Sequence, residues 1–470
     1  MKKNRTQKGI TLIALVITII VMLLLVGVTI NMALNGGLFG YAKKATRDTE
    51  KQKQAEQDLA SGEVTVNGKD YASIDDYLNN KSQLPKYSEE LLDKTTGVLK
   101  ENARYISDGK TAIIPKGFKV SEATKEQLID NGLVIKDKDN NEYVWIPVEK
   151  AIVTEAEIAK IKAENETITT DLAAVQKMVD GGTHPMSIEV NTKDDEGNIT
   201  ATNYKGIPYA YDGTEPLTLM VRDWTGTAAR GEPIKLTGTK KWTAETTVNG
   251  TTIPANTSYV YDSQDMFTLY GLGTYSDTLY QDSYNKMIKS VAANGGFYVG
   301  RYEISSGTYT DEQGNTITYT QSQKNQTALE KITWYEMYKY EENYTKYNTG
   351  LGVTSEMIWG SQWDQIMIFV NGKNDGNNTK FYVTTPGSRN SGDATVKTGE
   401  NTVDQVANIF DLEAGRHEWT QEFSSAGARS VRGGNYRVSP YLKNCASYGL
   451  GFVPASSGSG VSSRASLYIK

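Results

Sequence analysis

Thiol and imidazole side chains, which carry much redox, nucleophilic and metal chemistry, are scarce in this chain of 470 residues. Cys445 is the one cysteine, so no internal disulfide can form and no thiolate pair can hold a metal or cycle between redox states. His184 and His417 are the two histidines, and they lie too far apart in sequence to predict a zinc site. We therefore predict no catalytic residue, no metal site and no cofactor.

Other signatures of chemistry fail as well. The chain contains neither a G-x-S-x-G phrase nor a P-loop, and "DKDNNE" (Asp137–Glu142) starts like a calcium loop but lacks its glycine and its later glutamate. The formal net charge is only −6, and no cluster of lysine and arginine in the second half forms a basic stripe. We therefore exclude nucleic acid as a partner.

The elements that would position any site are short strands and a few helices. The sequence is rich in Tyr, Thr, Gly and Asn, which favour half-buried strands and the turns between them. Apolar residues at helical spacing predict helices in Ala151–Gly182, before Gly295, in Lys331–Asn348 and in Thr354–Lys373. The predicted fold class is α+β with much irregular structure.

The N-terminus reads as a membrane segment. Basic residues at Lys2, Lys3, Arg5 and Lys8 precede an uncharged run, Gly9–Ile30, of the length needed to cross a bilayer. Basic residues before the span predict a cytoplasmic N-terminus and an exported remainder. The predicted location is the cell membrane, single-pass, with the C-terminal domain extracellular.

The phrase "KGITLIALVITIIVMLLL" resembles the prepilin signal of type IV pilins and pilin-like proteins. That resemblance implies cleavage by a prepilin peptidase after Gly9, so that the mature chain begins at Ile10. Ala14 stands where pilins that form filaments usually carry Glu, which argues against filament assembly. A plain, uncleaved membrane anchor is the alternative.

Composition changes along the chain predict four parts. Residues 1–9 would be the leader, 10–60 a transmembrane and stalk helix, 61–106 a loosely structured connector, and 107–470 one large domain. The charge-rich stretch after the apolar run offers helix-spaced ion pairs, typical of a solvated stalk.

Six phrases of the large domain, taken in order, are similar to motifs of the formylglycine-generating-enzyme-like domain, a variant of the C-type lectin fold. They are "NEYVWIPVEK" (Asn141–Lys150), "GGFYVGRYEIS" (Gly295–Ser305), "ITWYEMYKY" (Ile332–Tyr340), "TSEMIWGSQWDQIM" (Thr354–Met367), "NIFDLEAGRHEWT" (Asn408–Thr420) and "SVRGGNY" (Ser430–Tyr436). The resemblance implies that fold, with Glu418 and Trp419 holding it together and Glu418 pairing in the core with a basic residue such as Arg432, or with backbone.

The enzyme that gives this family its name oxidises cysteine with two thiols in a "C-x-x-S-Y-C" phrase. Ser447–Tyr448 match its "S-Y", but the flanking positions are Asn444 and Gly449, and Cys445 is one residue out of place. One thiol cannot replace two. The resemblance therefore implies a binding domain, and we predict that the chain is not an enzyme.

The segment after Gly434 is rich in Tyr, Ser, Asn and Gly, the composition of antibody paratopes. In related proteins diversified by retroelements, the corresponding loop is variable and a closing strand is held constant. Arg464, Leu467 and Tyr468 match that strand. The resemblance implies a ligand-binding loop with these contact residues: Tyr436, Arg437, Ser439, Tyr441, Leu442, Asn444 and Tyr448. A loop without a partner is the alternative.

Together these features predict a membrane-anchored, pilin-like bacterial surface protein whose lectin-fold domain binds an external protein or glycan. A minor pilin with a structural role in a pilin-like assembly is the second hypothesis. An oxidoreductase of the formylglycine-generating type is the third.

Overall fold

The computed structural model describes residues 64–66, 69–71, 84–148, 187–193, 199–206, 210–211, 215–216, 234–382, 395–413, 415–436 and 449–470. All of them belong to one unit, Val64–Lys470. Four α-helices occur in these ranges: α1 (Gln264–Tyr270), α2 (Leu279–Asn294), α3 (Trp334–Tyr347) and α4 (Gly360–Val370). Four short 3-10 helices are Glu89–Leu91, Thr124–Glu126, Ile129–Asn131 and Thr402–Asp404.

Strands make up most of the regular structure in the same ranges. They are β1 (Val64–Val66), β2 (Lys69–Tyr71), β3 (Ala103–Ser107), β4 (Lys110–Ile114), β5 (Phe118–Val120), β6 (Val134–Asp137), β7 (Glu142–Pro147), β8 (Ser187–Lys193), β9 (Ile199–Gly206), β10 (Ala210–Tyr211), β11 (Glu215–Pro216), β12 (Thr239–Trp242), β13 (Thr246–Val248), β14 (Thr251–Ile253), β15 (Thr257–Val260), β16 (Gly296–Gly300), β17 (Ser305–Thr310), β18 (Thr316–Gln321), β19 (Val353–Met357), β20 (His417–Ser425), β21 (Ala428–Arg432), β22 (Gly449–Phe452), β23 (Val461–Ser463) and β24 (Ala465–Ile469).

The largest sheet has six antiparallel strands in the order β19-β24-β16-β7-β6-β5. Every residue of β16 and β24 is buried, so both faces of the sheet centre are covered. Helix α2 packs against these two strands and α4 against β7. The rings of Trp145 and Tyr298, opposite each other on β7 and β16, lie 4.9 Å apart. The last strand of the chain is thus an interior strand of the core.

A second sheet carries the candidate site. Its order is β22-β21-β20-β23, with β23 parallel to β20 and the other pairs antiparallel. Glu418 on β20 lies opposite Arg432 on β21. All five residues of β21 and the first six of β20 are buried, although several carry charge. Charged side chains in such strands need partners inside the protein.

Two of the helix predictions are confirmed. The helix predicted before Gly295 is α2, and Gly295 ends it with φ 75°, a left-handed conformation that glycine adopts without strain. The helix predicted in Lys331–Asn348 is α3. Thr333 and Glu336 form a capping box at its start, in which Thr333 N–H donates to the Glu336 carboxylate at 2.8 Å.

The prediction for Thr354–Lys373 is only partly right, because its first residues form β19 and the helix α4 begins at Gly360. Burial alternates along β19, and Ser355 pairs with Leu467 of β24, so strand pairing decides this segment. The helix predicted in Ala151–Gly182 lies outside the described residues.

Residues 84–106, assigned in the sequence analysis to a connector, pack closely on the large domain. Leu99 is 2% exposed, and its N–H donates to Phe118 O at 2.9 Å. Arg104 N–H donates to Pro85 O at 2.8 Å, and Ala103 pairs with Ile114 across β3 and β4. This stretch therefore supplies part of the wall beside the six-stranded sheet.

The predicted fold class, α+β built around a transmembrane and stalk helix, is wrong for the part of the chain that the structure describes. That part is rich in sheet and has four α-helices, none of which spans a membrane. The physical reason lies in the Thr- and Asn-rich hairpins, such as β13–β14 and β17–β18, where strand pairing uses residues with little helical preference.

The predicted membrane helix, 10–60, lies outside the described residues. Crossing a hydrocarbon core takes about 20 apolar residues. In the ranges given above, no helix combines that length with that apolar character, and α2 has 16 residues. This finding overturns the predicted single-pass location in the cell membrane with an extracellular C-terminal domain.

Candidate binding site

Arg464 is the central residue of the buried ion pairs in the second sheet. Its side chain is fully buried and donates to the Glu418 carboxylate from two nitrogens: Nε lies 2.9 and 3.1 Å from the two carboxylate oxygens, and a terminal nitrogen lies 2.6 Å from one of them. It also donates to Gly300 O at 2.9 Å and Phe410 O at 2.8 Å. This guanidinium therefore joins β20, β16 and the loop before β20. The predicted pairing of Glu418 with a basic residue in the core is confirmed, but the partner is Arg464 and not Arg432, the example named in the sequence analysis.

Arg432 instead binds two other carboxylates. Its Nε lies 3.1 Å from Glu422 and its terminal nitrogen 3.1 Å from Asp364 of α4. Both Arg432 and Glu422 are fully buried. A buried ion pair keeps its geometry because neither side chain can replace its partner by water. Strand β21 is thereby fixed to β20 and to α4.

The start of β21 is held in the same way by Arg429. Its guanidinium binds Asp262 at 2.7 Å and lies over the rings of Tyr280 and Trp334, with centroids at 4.5 and 5.1 Å. Charge pairing and cation–π contact act together on one buried group. Strand β21 therefore has a buried, ion-paired arginine near each end.

The chain leaves β21 through a tightly packed turn. Gly434 N–H donates to Leu412 O at 3.0 Å, and Tyr436 N–H donates to Gly415 O at 2.8 Å. A Cβ added at Gly434 would lie 1.7 Å from Glu413 O, so only glycine fits there. The backbone is therefore fixed up to Tyr436.

Arg416 supports this turn from below. Its Nε lies 3.0 Å from Glu330, and its terminal nitrogen lies 3.6 Å from Glu303. The same Glu330 oxygen accepts the Gly460 N–H at 3.0 Å, which ties the turn before β23 to the arginine. The Arg416 guanidinium carbon lies 5.7 Å from the Tyr436 ring centroid. Arg416 thus connects the start of the candidate loop to the C-terminal strands.

The far end of the candidate loop is also attached to β21. Strand β22 begins at Gly449, which pairs with Arg432, and ends at Phe452, which pairs with Arg429. The residues on both sides of segment 437–448 are therefore attached to the second sheet or to the turn that enters it: Tyr436 to Gly415, just before β20, and Gly449 to Arg432 of β21.

Of the predicted contact residues, Tyr436 is the one that the structure describes, and its side chain is only 7% exposed. Its assignment as a contact residue is wrong because the ring packs under the turn beside Arg416. The other predicted contact residues lie outside the described residues: Arg437, Ser439, Tyr441, Leu442, Asn444 and Tyr448. Cys445, His184 and the processing residues Gly9 and Ile10 also lie outside them. The sequence could not distinguish Tyr436 from the tyrosines that follow, because all of them lie in the same stretch rich in Tyr, Ser, Asn and Gly.

Tyr436→Ala is accordingly expected to destabilise the protein, by about 3 kcal/mol, because it empties a buried aromatic site beneath the turn. Chemical denaturation followed by tryptophan fluorescence measures the change. Tyr382→Ala, at a tyrosine that is 47% exposed, is the matched control and should change stability by less than about 0.5 kcal/mol. Equal stabilities of the two variants would contradict the core role of Tyr436.

Three carboxyls around these arginines are buried. Burial raises the pKa of Glu303 well above its usual value, and nearby Asp411 raises it further while Arg416 lowers it. Burial also raises the pKa of Asp411 to about 6, against the opposing hydrogen bond from Gly399 N–H. Burial likewise raises the pKa of Glu418. Each is at most 3% exposed, so these groups hold the fold and cannot reach a substrate.

Metal-binding chemistry has no matching arrangement in the described ranges, where no group of three or more His, Cys, Asp or Glu side chains could hold an ion. His417 is buried, and its Nδ1 lies 3.0 Å from Gly433 O. Asp137, the first residue of the calcium-like phrase, instead accepts the Asn141 N–H at 2.8 Å and closes its own turn.

Comparisons with protein-family models, with curated proteins and with solved structures found no match to this chain.

Proposed function

We propose that this protein is a binding protein in which segment 437–448 recognises an external protein or glycan, on a formylglycine-generating-enzyme-like domain of the C-type lectin class. The observation that carries this proposal is that the residues on both sides of the segment are attached to the second sheet or to the turn that enters it. Tyr436 is held by Gly415 at one end, and Gly449 pairs with Arg432 at the other. Binding residues are commonly placed on loops that a rigid scaffold positions.

The energetics of binding support this arrangement. A ligand-binding loop loses conformational entropy when it orders, and that loss weakens affinity. Fixing the two ends reduces the number of conformations to be lost. The segment itself, "RVSPYLKNCASY", combines tyrosines with small polar residues, which supply rigid contact area and adaptable hydrogen bonds.

We propose binding without catalysis, because the segment has Cys445 as its single thiol. Oxidation of a cysteine by the formylglycine-generating route uses two thiols, and the positions of the family's pair are Asn444 and Gly449 here. The buried carboxyls Glu303 and Glu418 are paired with Arg416 and Arg464, and so they provide no accessible acid or base.

The test is the double substitution Tyr441→Ala with Tyr448→Ala in the full chain. We expect wild-type protein to bind at least one member of a printed glycan array or of a panel of purified cell-surface proteins. The double variant should bind that ligand at least about a hundredfold more weakly, since each aromatic contact at an interface centre is worth about 2 kcal/mol or more.

Thermal unfolding separates this result from misfolding, because the double variant should keep the wild-type midpoint. Tyr382→Ala, which removes another exposed tyrosine, is the control and should bind like wild type. Undiminished binding by the double variant would refute recognition by this segment.

A further inference from the structure

A cleft of about 390 Å³ lies away from the candidate loop, where four stretches of chain meet: 93–100, 116–117, 137–138 and 347–351. The first comes from the segment packed beside the large sheet, the second joins β4 to β5, the third ends β6, and the last follows α3. Pockets for small ligands commonly begin at about 300 Å³, so the cleft has room for a ligand of one or two rings. The sequence did not predict it, because its walls are distant in the chain.

The walls of the cleft are held in place before any ligand binds. Lys116 N–H donates to Asn102 Oδ1 at 2.8 Å, and Lys116 O accepts the Gly352 N–H at 3.0 Å. Gly117 has φ 88°, and a Cβ there would lie 2.2 Å from Leu351 Cδ2. Glycine therefore allows Leu351 to close against the turn that presents Lys116, and a preformed wall lowers the entropic cost of binding.

Three lysines lie at the solvent side of the cleft, and Lys100 among them is close enough to Asp93 to stabilise its charge. Lys100, Lys116 and Lys138 are all exposed members of its lining. Lys138 is neutralised by Asp139 at 2.7 Å, whereas Lys116 forms no ion pair with any residue for which the structure gives a position. The exposed ammonium group of Lys116 is thus available to an anionic group of a ligand.

An acidic hydrogen-bond acceptor faces the same space. Asp93 Oδ1 accepts the N–H groups of Thr95 and Thr96, at 2.9 and 3.0 Å. Those hydrogen bonds lower the pKa of Asp93, so its carboxylate is charged at neutral pH. A fixed carboxylate of this kind accepts hydrogen bonds from hydroxyl groups, and the Thr96 and Thr349 side chains add further hydroxyls to the lining.

The remaining wall is apolar and aromatic. Val98 and Leu99 are buried at the cleft, and Tyr347 lines it with its ring stacked on Tyr319, centroids 4.4 Å apart. Stacking on a buried ring fixes the orientation of Tyr347. Tyr347 is also contacted by Tyr309, with ring centroids 4.9 Å apart, and by Lys138 Nζ, 5.2 Å from its centroid. An apolar wall with an aromatic side chain, a hydroxyl acceptor and a lysine without an ion pair together match a sugar ring that carries a carboxylate.

We propose that this cleft binds a short acidic saccharide of about one or two rings, with the sugar carboxylate on Lys116 and ring hydroxyls on Asp93. The site shares no residue with segment 437–448 and is independent of the binding proposed for that segment. The charge-assisted contact would be made at the exposed rim, while the aliphatic and aromatic side chains cover the ring.

Calorimetric titration of the full chain with galacturonic acid dimer tests this proposal, with the neutral galactose dimer as the reference ligand. We expect the acidic dimer to bind at least about tenfold more tightly than the neutral one. Lys116→Gln should remove that preference, because it keeps a polar, hydrogen-bonding side chain but deletes the charge. Raising the salt concentration should weaken binding to wild type and leave binding to the variant unchanged.

Lys346→Gln is the matched control, since Lys346 is an exposed lysine next to Tyr347 that does not line the cleft. It should bind the acidic dimer like wild type, as should the Tyr441→Ala and Tyr448→Ala variant of the loop. No binding of the acidic dimer, equal binding of the two dimers by wild type, or full affinity in Lys116→Gln would each overturn the proposal.

Discussion

Arg464→Met is expected to lower the free energy of unfolding by about 3–5 kcal/mol, enough to unfold many domains outright. The substitution leaves the Glu418 carboxylate buried without its cation and removes the donors of Gly300 O and Phe410 O. Burial already raises the pKa of Glu418, and Arg464 is the main group that opposes this rise. In the variant, therefore, Glu418 should bind a proton at a higher pH than in wild type.

Denaturant titration of the two proteins measures this cost. The double variant Arg464→Met with Glu418→Gln is the matched control, because it removes the pair without leaving a buried charge. We expect the double variant to be more stable than Arg464→Met alone, although both lose hydrogen bonds. If the double variant were the less stable of the two, the stranded-charge explanation would be wrong.

The stability of this protein is expected to fall as the pH rises from about 5 to 8, and Glu341→Gln should remove much of that fall. Glu341, on α3, is fully buried, and neither of its carboxyl oxygens has a hydrogen-bond partner of ordinary geometry among the residues given positions. Burial raises its pKa to about 8, and the nearby Ser463 hydroxyl offsets only part of this rise.

The direction of this change in stability with pH follows from proton binding by Glu341. Because the pKa in the folded state is raised above the unfolded value, the folded protein holds a proton that the unfolded chain releases between pH 4.5 and 8. The stabilisation by this group is therefore complete at low pH and is lost as the pH rises through about 8. Each unit of pKa difference corresponds to about 1.4 kcal/mol, so Glu341→Gln should be more stable than wild type at pH 9 by on the order of 4 kcal/mol.

Chemical denaturation at a series of pH values measures the effect. A second buried carboxyl, Glu356, has its pKa raised to about 7 by burial, so some pH dependence should remain in the Glu341→Gln protein. Glu312→Gln, at an exposed glutamate, is the control and should give the same pH profile as wild type. Parallel pH profiles for wild type and Glu341→Gln would contradict a protonated Glu341.

Sequence patterns predicted α3 correctly but assigned the residues of β19 to a helix. Apolar residues at helical spacing and the glycine after α2 are local signals, and they located those helices correctly. The stretch Thr354–Met357 carries apolar residues that suit a helix, yet it pairs with β24, more than a hundred residues later. Such pairing depends on a partner that a local pattern does not include.

Some features of the candidate site were also predictable from residue types, whereas others depended on packing. Residue types alone showed one thiol, two histidines and a loop rich in Tyr, Ser and Asn, and these determined the hypothesis of binding rather than oxidation. Which tyrosine is buried was a matter of packing, and Tyr436 lies beside Arg416 beneath the turn. A buried and an exposed tyrosine are the same residue type, so the sequence alone could not distinguish them.

The amino-acid sequence by itself determined which reactive side chains this protein has, with one cysteine and two histidines, and where its clearest helix ends. Both depend only on residue identity and on near neighbours in the chain. Only the tertiary structure decided the partner of Glu418, the sheet-rich fold and the cleft beside Lys116. Each of these joins residues far apart in the chain. Their energies come from burial and charge pairing, which exist only after distant segments have packed together.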